Sequence, residues 1–301
     1  MLSLLVLAAG IVLVVAGAEL FFDGLLATAS RLGVSAFVLT VVVSGFELEN
    51  LAAGIATDVR GFPNAAAGTF LGGTTFLALG VAGIAAALRP LTRPLPRRTL
   101  AWAAAAPMPL LALGLDGRLS RLDGGILVAW FAVALYGIAR SGAVADDEPR
   151  RPRRFAIARM LVGLAVLSAA GELVGEGLRR VVVHLGISDT LLGNTAIAAS
   201  VEAEEIGRVA VPAREGRGDI SLGNVVGTIA HFAAFNAGVI ALVRPLDLDR
   251  ASRYLHLPVA AGSTILLALL IDRGRGLGRR AGLFLLAMYG CYVAAAIAAS
   301  A

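Results

Sequence analysis

Two stretches of this chain carry acid where hydrocarbon surrounds them. Residues 44–54 read SGFELENLAAG and residues 199–209 read ASVEAEEIGRV. AFVLTVVV leads into the first stretch and LAAGIATDV continues it. A charge at the centre of a membrane helix costs about 2.5–3.5 kcal/mol on insertion scales, so five carboxylates facing lipid would cost on the order of 12 kcal/mol. Glu47, Glu49, Glu202, Glu204 and Glu205 therefore point to a hydrated cavity, bound cations or held protons. Glu202 and Glu205 are three apart and share a helical face, as do Glu47 and Asn50. Glu47, Glu202 and Glu205 are the candidate ligands of a divalent cation, with Asn50 adding a carbonyl oxygen; Ca²⁺ is the first choice because it takes many oxygen ligands. Glu49 and Glu204 join them or carry protons. A helix points adjacent residues 204 and 205 in different directions. Gly45 and Ser200 precede the two clusters and allow local unwinding, which frees backbone carbonyls for a cation.

The elements that must hold these groups are membrane helices. The chain has 301 residues, 58% hydrophobic and 16% charged, against about 25% charged in ordinary soluble domains. Long apolar runs recur from end to end, which excludes a single globular core and predicts an all-α membrane protein. All 26 basic residues are arginine, and the net charge of +5 sits mainly in short loops, so no nucleic-acid footprint is read. Cys291 is the only cysteine, which excludes an intrachain disulfide. Residues 1–18 lack a positive leader and no polar domain follows, so they read as part of the first span.

Hydropathy predicts ten helices, over 2–29, 34–57, 63–88, 98–114, 123–140, 156–178, 187–211, 219–243, 255–271 and 280–299. The polar linker RSGAVADDEPRRPRR begins at Arg140 and divides the chain into residues 1–139, a linker over 140–155, and residues 156–301. Alternate loops carry 16 and 8 arginines, so the richer set, with the linker, is expected in the cytoplasm and both termini outside the cell membrane.

The halves resemble each other. GAELFFDGLLATASRLGVS (17–35) aligns with AGELVGEGLRRVVVHLGIS (170–188) at an offset of 153, placing Glu19 on Glu172 and Asp23 on Glu176. Beyond a two-residue gap the offset is 155, and Glu47 falls on Glu202, Glu49 on Glu204 and Asn50 on Glu205. Gly61, Gly68 and Gly72 then fall on Gly216, Gly223 and Gly227. Five helices per half put the second upside down relative to the first: two inverted five-helix repeats, with the acidic clusters expected to meet near the bilayer midplane. Glu19, Asp23, Glu172 and Glu176 lie near helix ends and read as structural partners for arginine or serine. The runs GTFLGG (68–73) and GNVVGT (223–228) allow close helix approach, where Thr74 and Thr228, with Thr69, Thr75 and Asn224, would offer oxygen.

These residues resemble the calcium/cation antiporter superfamily, the sodium/calcium exchangers in particular. The family pattern has two alpha repeats, each with G-T-S-x-P-E followed by G-N-x-x-G-S-N. GISDTLLGNTAIA, RGDISLGNVVGT and GVSAFVLTVVV with RGFPNAAAG follow its phrasing. The resemblance implies ten helices and a secondary-active antiporter, not an enzyme, exchanging a divalent cation for Na⁺ or H⁺. No cofactor is implied; the partners are transported inorganic cations and the lipid bilayer. Alternating access would come from the long helices near 2–29 and 156–178. The departures lie in the site. Glu47 and Glu202 stand at the motif's serine, Glu49 and Glu204 at its proline, and Asn50 and Glu205 at its glutamate, so only Glu205 keeps the family's carboxylate. The later Ser-Asn becomes Gly73-Thr74 and Thr228-Ile229, and the polar residue four positions after that serine becomes Leu77 and Phe232. Proton-coupled exchangers use G-N-A-x-E, which Gly45 to Glu49 matches in spacing.

Two other readings fit part of the pattern. A degenerate member would bind ions as a scaffold or sensor without transport. An intramembrane glutamate peptidase would use E-E-x-x-x-R and H-x-x-x-N; EEIGR from Glu204 to Arg208, with His231 and Asn236, misses both spacings by one.

Overall fold

The computed structural model describes residues 2–45, 48–141, 155–184 and 203–300. Helices α1 (Leu2–Leu32), α2 (Ala36–Val43) and α3 (Leu48–Val59) open the chain. Then come α4 (Pro63–Leu88), α5 (Arg97–Ala105), α6 (Met108–Gly114) and α7 (Arg121–Ser141). The second half supplies α8 (Ala156–His184), α9 (203–214), α10 (Gly218–Val243), α11 (Ser252–Gly274) and α12 (Arg279–Ser300). Among the described residues, seven helices are long and apolar enough to cross a membrane: α1, α4, α7, α8, α10, α11 and α12. The expected span 34–57 is described as the shorter α2 and α3. The span expected over 98–114 breaks at Ala106–Pro107, because proline lacks the N–H that would continue the ladder. Of the span expected over 187–211, only the part from 203 is described; most of the 140–155 linker lies outside the described residues.

The chain divides into two compact units, and each draws on both halves of the sequence. One takes Met1–Ala36 and Ala145–Glu215; the other takes Phe37–Val144 and Gly216–Ala301.

In the first unit α1 and α8 pack side by side with glycine at the seam. A Cβ on Gly10 would lie 2.9 Å from the Val174 backbone nitrogen, on Gly17 3.0 Å from that of Leu167, and on Gly24 2.3 Å from that of Met160. Each step of seven up α1 meets a step of seven down α8, so the helices run antiparallel. Gly163 and Gly177 supply the reverse contacts, 2.3 Å from Phe21 and 2.8 Å from Leu7. Carrying the Gly10–Val174 contact across by 153 residues gives Gly163–Phe21. Small residues let backbones approach closely enough for dispersion to hold helices that lipid would otherwise solvate equally well. The polar groups near the helix ends find arginines: Arg159 lies 3.5 Å from Asp23, Arg180 2.7 Å from Glu176 and Arg214 3.9 Å from Glu19. α1 gives way to a turn at Gly33, whose φ of +67° suits a residue without Cβ.

In the second unit α4 and α10 are the same element twice. Both run 26 residues, long enough at about 1.5 Å per residue to cross the hydrocarbon core. Each follows a left-handed glycine, Gly61 (φ +91°) or Gly216 (φ +74°). Both widen into a π-helical turn at matching depth, Leu77–Val81 and His231–Asn236, and stop at an extended arginine, Arg89 or Arg244. Every residue of α10 from Gly218 to Ala230 is buried, which makes it a central helix of this unit. α12 instead exposes Leu283, Phe284, Val293 and Ile297, as a lipid-facing helix must. Short antiparallel pairings lace the unit together: Leu91 exchanges backbone hydrogen bonds with Leu277 at 2.9 and 2.8 Å, and Leu119 pairs with Leu246. Leu91 and Leu246 occupy matching positions in the two halves.

Candidate functional site

The second acidic cluster lies in the first unit, on α9. Glu204 and Glu205 are 4% and 2% exposed, and the residue that accounts for their burial is Arg208, at 3%. Its Nη1 donates to Glu205 Oε1 at 2.9 Å, and its Nη2 donates to Glu204 Oε1. Residues three and four back along a helix lie on either side of a given side chain, so one guanidinium spans both carboxylates. The divergence expected between Glu204 and Glu205 is thus closed by a third residue. α9 can sit this deep because Gly207 meets the helix seam: a Cβ there would lie 2.8 Å from Val14 Cγ1 and 3.4 Å from Ala18. From that position the Arg208 guanidinium lies 5.9 Å from the Phe21 ring centroid, and Ser168 on α8 donates to Glu204 at 3.5 Å.

The first acidic cluster belongs to the second unit. α2 ends at Val43 and Ser44–Gly45 form a turn; Glu47 lies outside the described residues, as does the Glu49 side chain. What is described is how the helix end is held. A Cβ on Gly227 of α10 would lie 2.4 Å from Ser44 Oγ and 2.7 Å from the Val41 carbonyl, so α10 touches α2 backbone to backbone. Thr228 Oγ1 donates to the Ser44 carbonyl at 3.2 Å, so a carbonyl at the end of α2 is taken up by a threonine. His231 is fully buried against Gly45, where a Cβ would fall 1.9 Å from its ring, and its Nδ1 lies 2.9 Å from the Gly227 carbonyl. Phe131 meets the same ring edge-on at 4.5 Å. His231 is thus a packed histidine.

Asn50 is half-buried on α3. Asp58 sits two turns further along the same helix, 1% exposed, with neither carboxylate oxygen hydrogen-bonded among the described residues. The neighbouring Arg244 guanidinium donates instead to the Asp58 and Val59 carbonyls, at 3.0 and 3.1 Å. Thr74 on α4 is fully buried, and its hydroxyl oxygen finds no partner among the described residues, which suits an oxygen held for a cation. Thr69 and Thr75 donate back to the Ala66 and Leu71 carbonyls of their own helix, at 2.7 and 2.9 Å; Asn224 is buried on α10. Two motif departures meet: Gly73, at a serine position, would bring a Cβ within 2.8 Å of the ring of Phe232, itself at a polar position. Apolar packing fills what two side-chain oxygens would have lined.

Glu202, like Glu47, lies outside the described residues, and among the described residues no three His, Cys, Asp or Glu side chains group as metal ligands. Arg208 was missed as a member of the cluster. Its signal was the spacing, three and four residues after two glutamates, within a predicted span.

Seven described helices long and apolar enough to cross a membrane, with carboxylates buried on the shorter α9, define a multi-pass membrane protein with charge inside it. The model of the sodium/calcium exchanger protein family matches residues 2–139 and 155–298, and the chain belongs to that family. It is 26% identical over 302 residues to an Alkalimonas amylolytica protein named, provisionally, as the antiporter CaxA, covering 92% of this chain and 93% of that one. It is 26% identical over 261 residues to the inner membrane protein YrbG of Escherichia coli, covering 80% of each. Its fold matches that of the sodium-calcium exchanger NCX_Mj with a TM-score of 0.84 at 22% identity, over 97% of this chain and 98% of that one. The protein is a multi-pass membrane cation antiporter and not an enzyme, which removes the peptidase reading.

Proposed function

We propose that the antiporter exchanges a divalent cation, Ca²⁺ first, for Na⁺ or H⁺ by alternating access. Glu47, Glu202 and Glu205 are its cation ligands, with oxygens from Asn50, Thr74 and Thr228, and Glu49 and Glu204 join them or carry protons. Ten helices in two inverted repeats would carry it, with the 140–155 linker in the cytoplasm and both termini outside. The antiparallel α1–α8 seam, whose contacts recur at an offset of 153, supports the inversion. So do the matched α4 and α10. The glycine-lined pair α1 and α8 is the proposed moving element.

The observation that carries the reading is Glu205. It stands at the motif's glutamate and its carboxylate is buried at 2% exposure on a helix of a family antiporter. A buried carboxylate attracts whichever cation reaches it, so a divalent ion and its counter-ion would compete there. The test is uptake of Ca²⁺ into proteoliposomes under an outward Na⁺ or H⁺ gradient. Uptake under either supports the proposal; none under both sinks it. The contact between Arg208 and both glutamates favours a second reading, a family member that binds ions without moving them. Ca²⁺ binding without flux would select it.

A further inference from the structure

We infer that Arg208 is a tethered cation that competes with the transported ion for Glu205, with Glu204 as the place where it waits. The inference rests on the proposed role of Glu205 as a cation ligand. Three observations carry it.

First, the guanidinium divides its two ends. Nη1 holds Glu205 and Nη2 holds Glu204, so one contact can break while the other persists. A cation arriving at Glu205 displaces one end of Arg208, and the other end stays on Glu204. The three charges sum to one negative, so Glu204 and Arg208 can neutralise each other and leave Glu205 its full charge for the ion.

Second, a purely structural brace explains the arrangement poorly. These two ion pairs close within one helix, at i+3 and i+4, while Ser168 on α8 also reaches Glu204. Burying three charges is expensive, and apolar residues of the same volume commonly serve stability as well or better. The guanidinium does have a second resting surface, the face of Phe21 on α1, which tolerates movement of the charged end because the attraction of a ring face for a cation is weakly directional.

Third, the other half lacks both charges together. At the offset of 155, Glu205 corresponds to Asn50 and Arg208 to Ala53. The carboxylate and the guanidinium occur as a pair in one half and are absent as a pair in the other.

The experiment is calorimetric titration of the purified full-length protein with Ca²⁺, Mn²⁺ and Na⁺ separately. Arg208→Gln removes the competitor, so at least one of these ions should bind roughly tenfold tighter or more than to the unaltered chain, because apparent affinity scales with the fraction of sites left open. Adding Glu205→Gln should erase the gain. Glu204→Gln alone should weaken binding, since Arg208 then loses its carboxylate contact at Glu204 and bears more on Glu205. Unchanged or weaker binding by Arg208→Gln overturns the inference and leaves Arg208 a structural residue. If Arg208→Gln is unstable, Ca²⁺ must restore its melting temperature, because the two cations substitute for each other; instability that Ca²⁺ does not correct also overturns it. Absence of binding by every variant and by the unaltered chain defeats the cation-site reading itself, and this inference with it.

Discussion

The two acidic segments sit at matching places in the two halves yet solve the burial of polar groups differently. On α9 the answer is charge against charge: Glu204 and Glu205 under Arg208. Around the first segment, where Glu47 and the Glu49 side chain lie outside the described residues, the described groups are Asn50, the helix end at Ser44 capped by Thr228, and His231 packed on Gly45. The described groups of the two segments therefore differ in kind. In the proposed site, a cation reaching α9 contends with the positive charge of Arg208, whereas the described groups around the first segment offer it dipoles.

The largest expected effect breaks this comparison directly. Glu205→Gln should abolish gradient-driven Ca²⁺ uptake in proteoliposomes to below about one hundredth of normal, since it removes a charged ligand from the proposed site and takes from Arg208 one of the carboxylates it holds. Asn50→Ala, at the equivalent place, should reduce uptake by about tenfold or less, the loss of one neutral contact. Equal losses would mean the halves are functionally equivalent after all.

The next effect concerns packing in the first half. Gly45→Ala drives a methyl into the His231 ring, and overpacking of this kind costs about 1–3 kcal/mol or more. The double variant Gly45→Ala/His231→Ala should lose less stability in thermal melts than the two single losses added, because the clash has been removed from one side.

Gly163→Leu and Gly10→Leu, equivalent at the offset of 153, probe the α1–α8 seam from either half. They would press side chains on backbone now 2.3 and 2.9 Å from an added Cβ. Each should lower stability by about 1–3 kcal/mol in melts, and by similar amounts if the seam is two-fold. The smallest effect belongs to an exposed pair. Arg97 and Asp272 are 2.8 Å apart, but Arg97 is 85% exposed, so Asp272→Ala should change stability by about 0.5 kcal/mol or less. The contrast with α9 is burial, not geometry.

Much of the fold was legible because membrane helices announce themselves through composition. The expected helix over 63–88 matches α4 residue for residue, and 219–243 misses α10 by one position. Apolar runs are silent, however, on where a helix breaks inside hydrocarbon. The span read over 34–57 contains the turn at Ser44–Gly45, and that over 98–114 contains the break at Pro107, which a proline can signal but does not guarantee. The span read to residue 178 continues to His184, because Arg180, which marks its loop side, pairs with Glu176 along the helix instead of ending it. The polar candidates were legible by type, since acids amid apolar residues are conspicuous. Their partners were harder to read. Arg208 was visible at i+3 and i+4, whereas Gly45 beneath His231 and Gly73 beneath Phe232 join residues over 150 positions apart. Only a folded chain brings those together.

The short pairings of Leu91 with Leu277 and of Leu119 with Leu246 have a consequence for how the protein is made. During synthesis the segment after α4 must wait for a mate that leaves the ribosome almost last, and each compact unit needs segments from both halves of the message. Neither half can therefore mature alone: severed at the linker, the two pieces should accumulate in the membrane only when produced side by side.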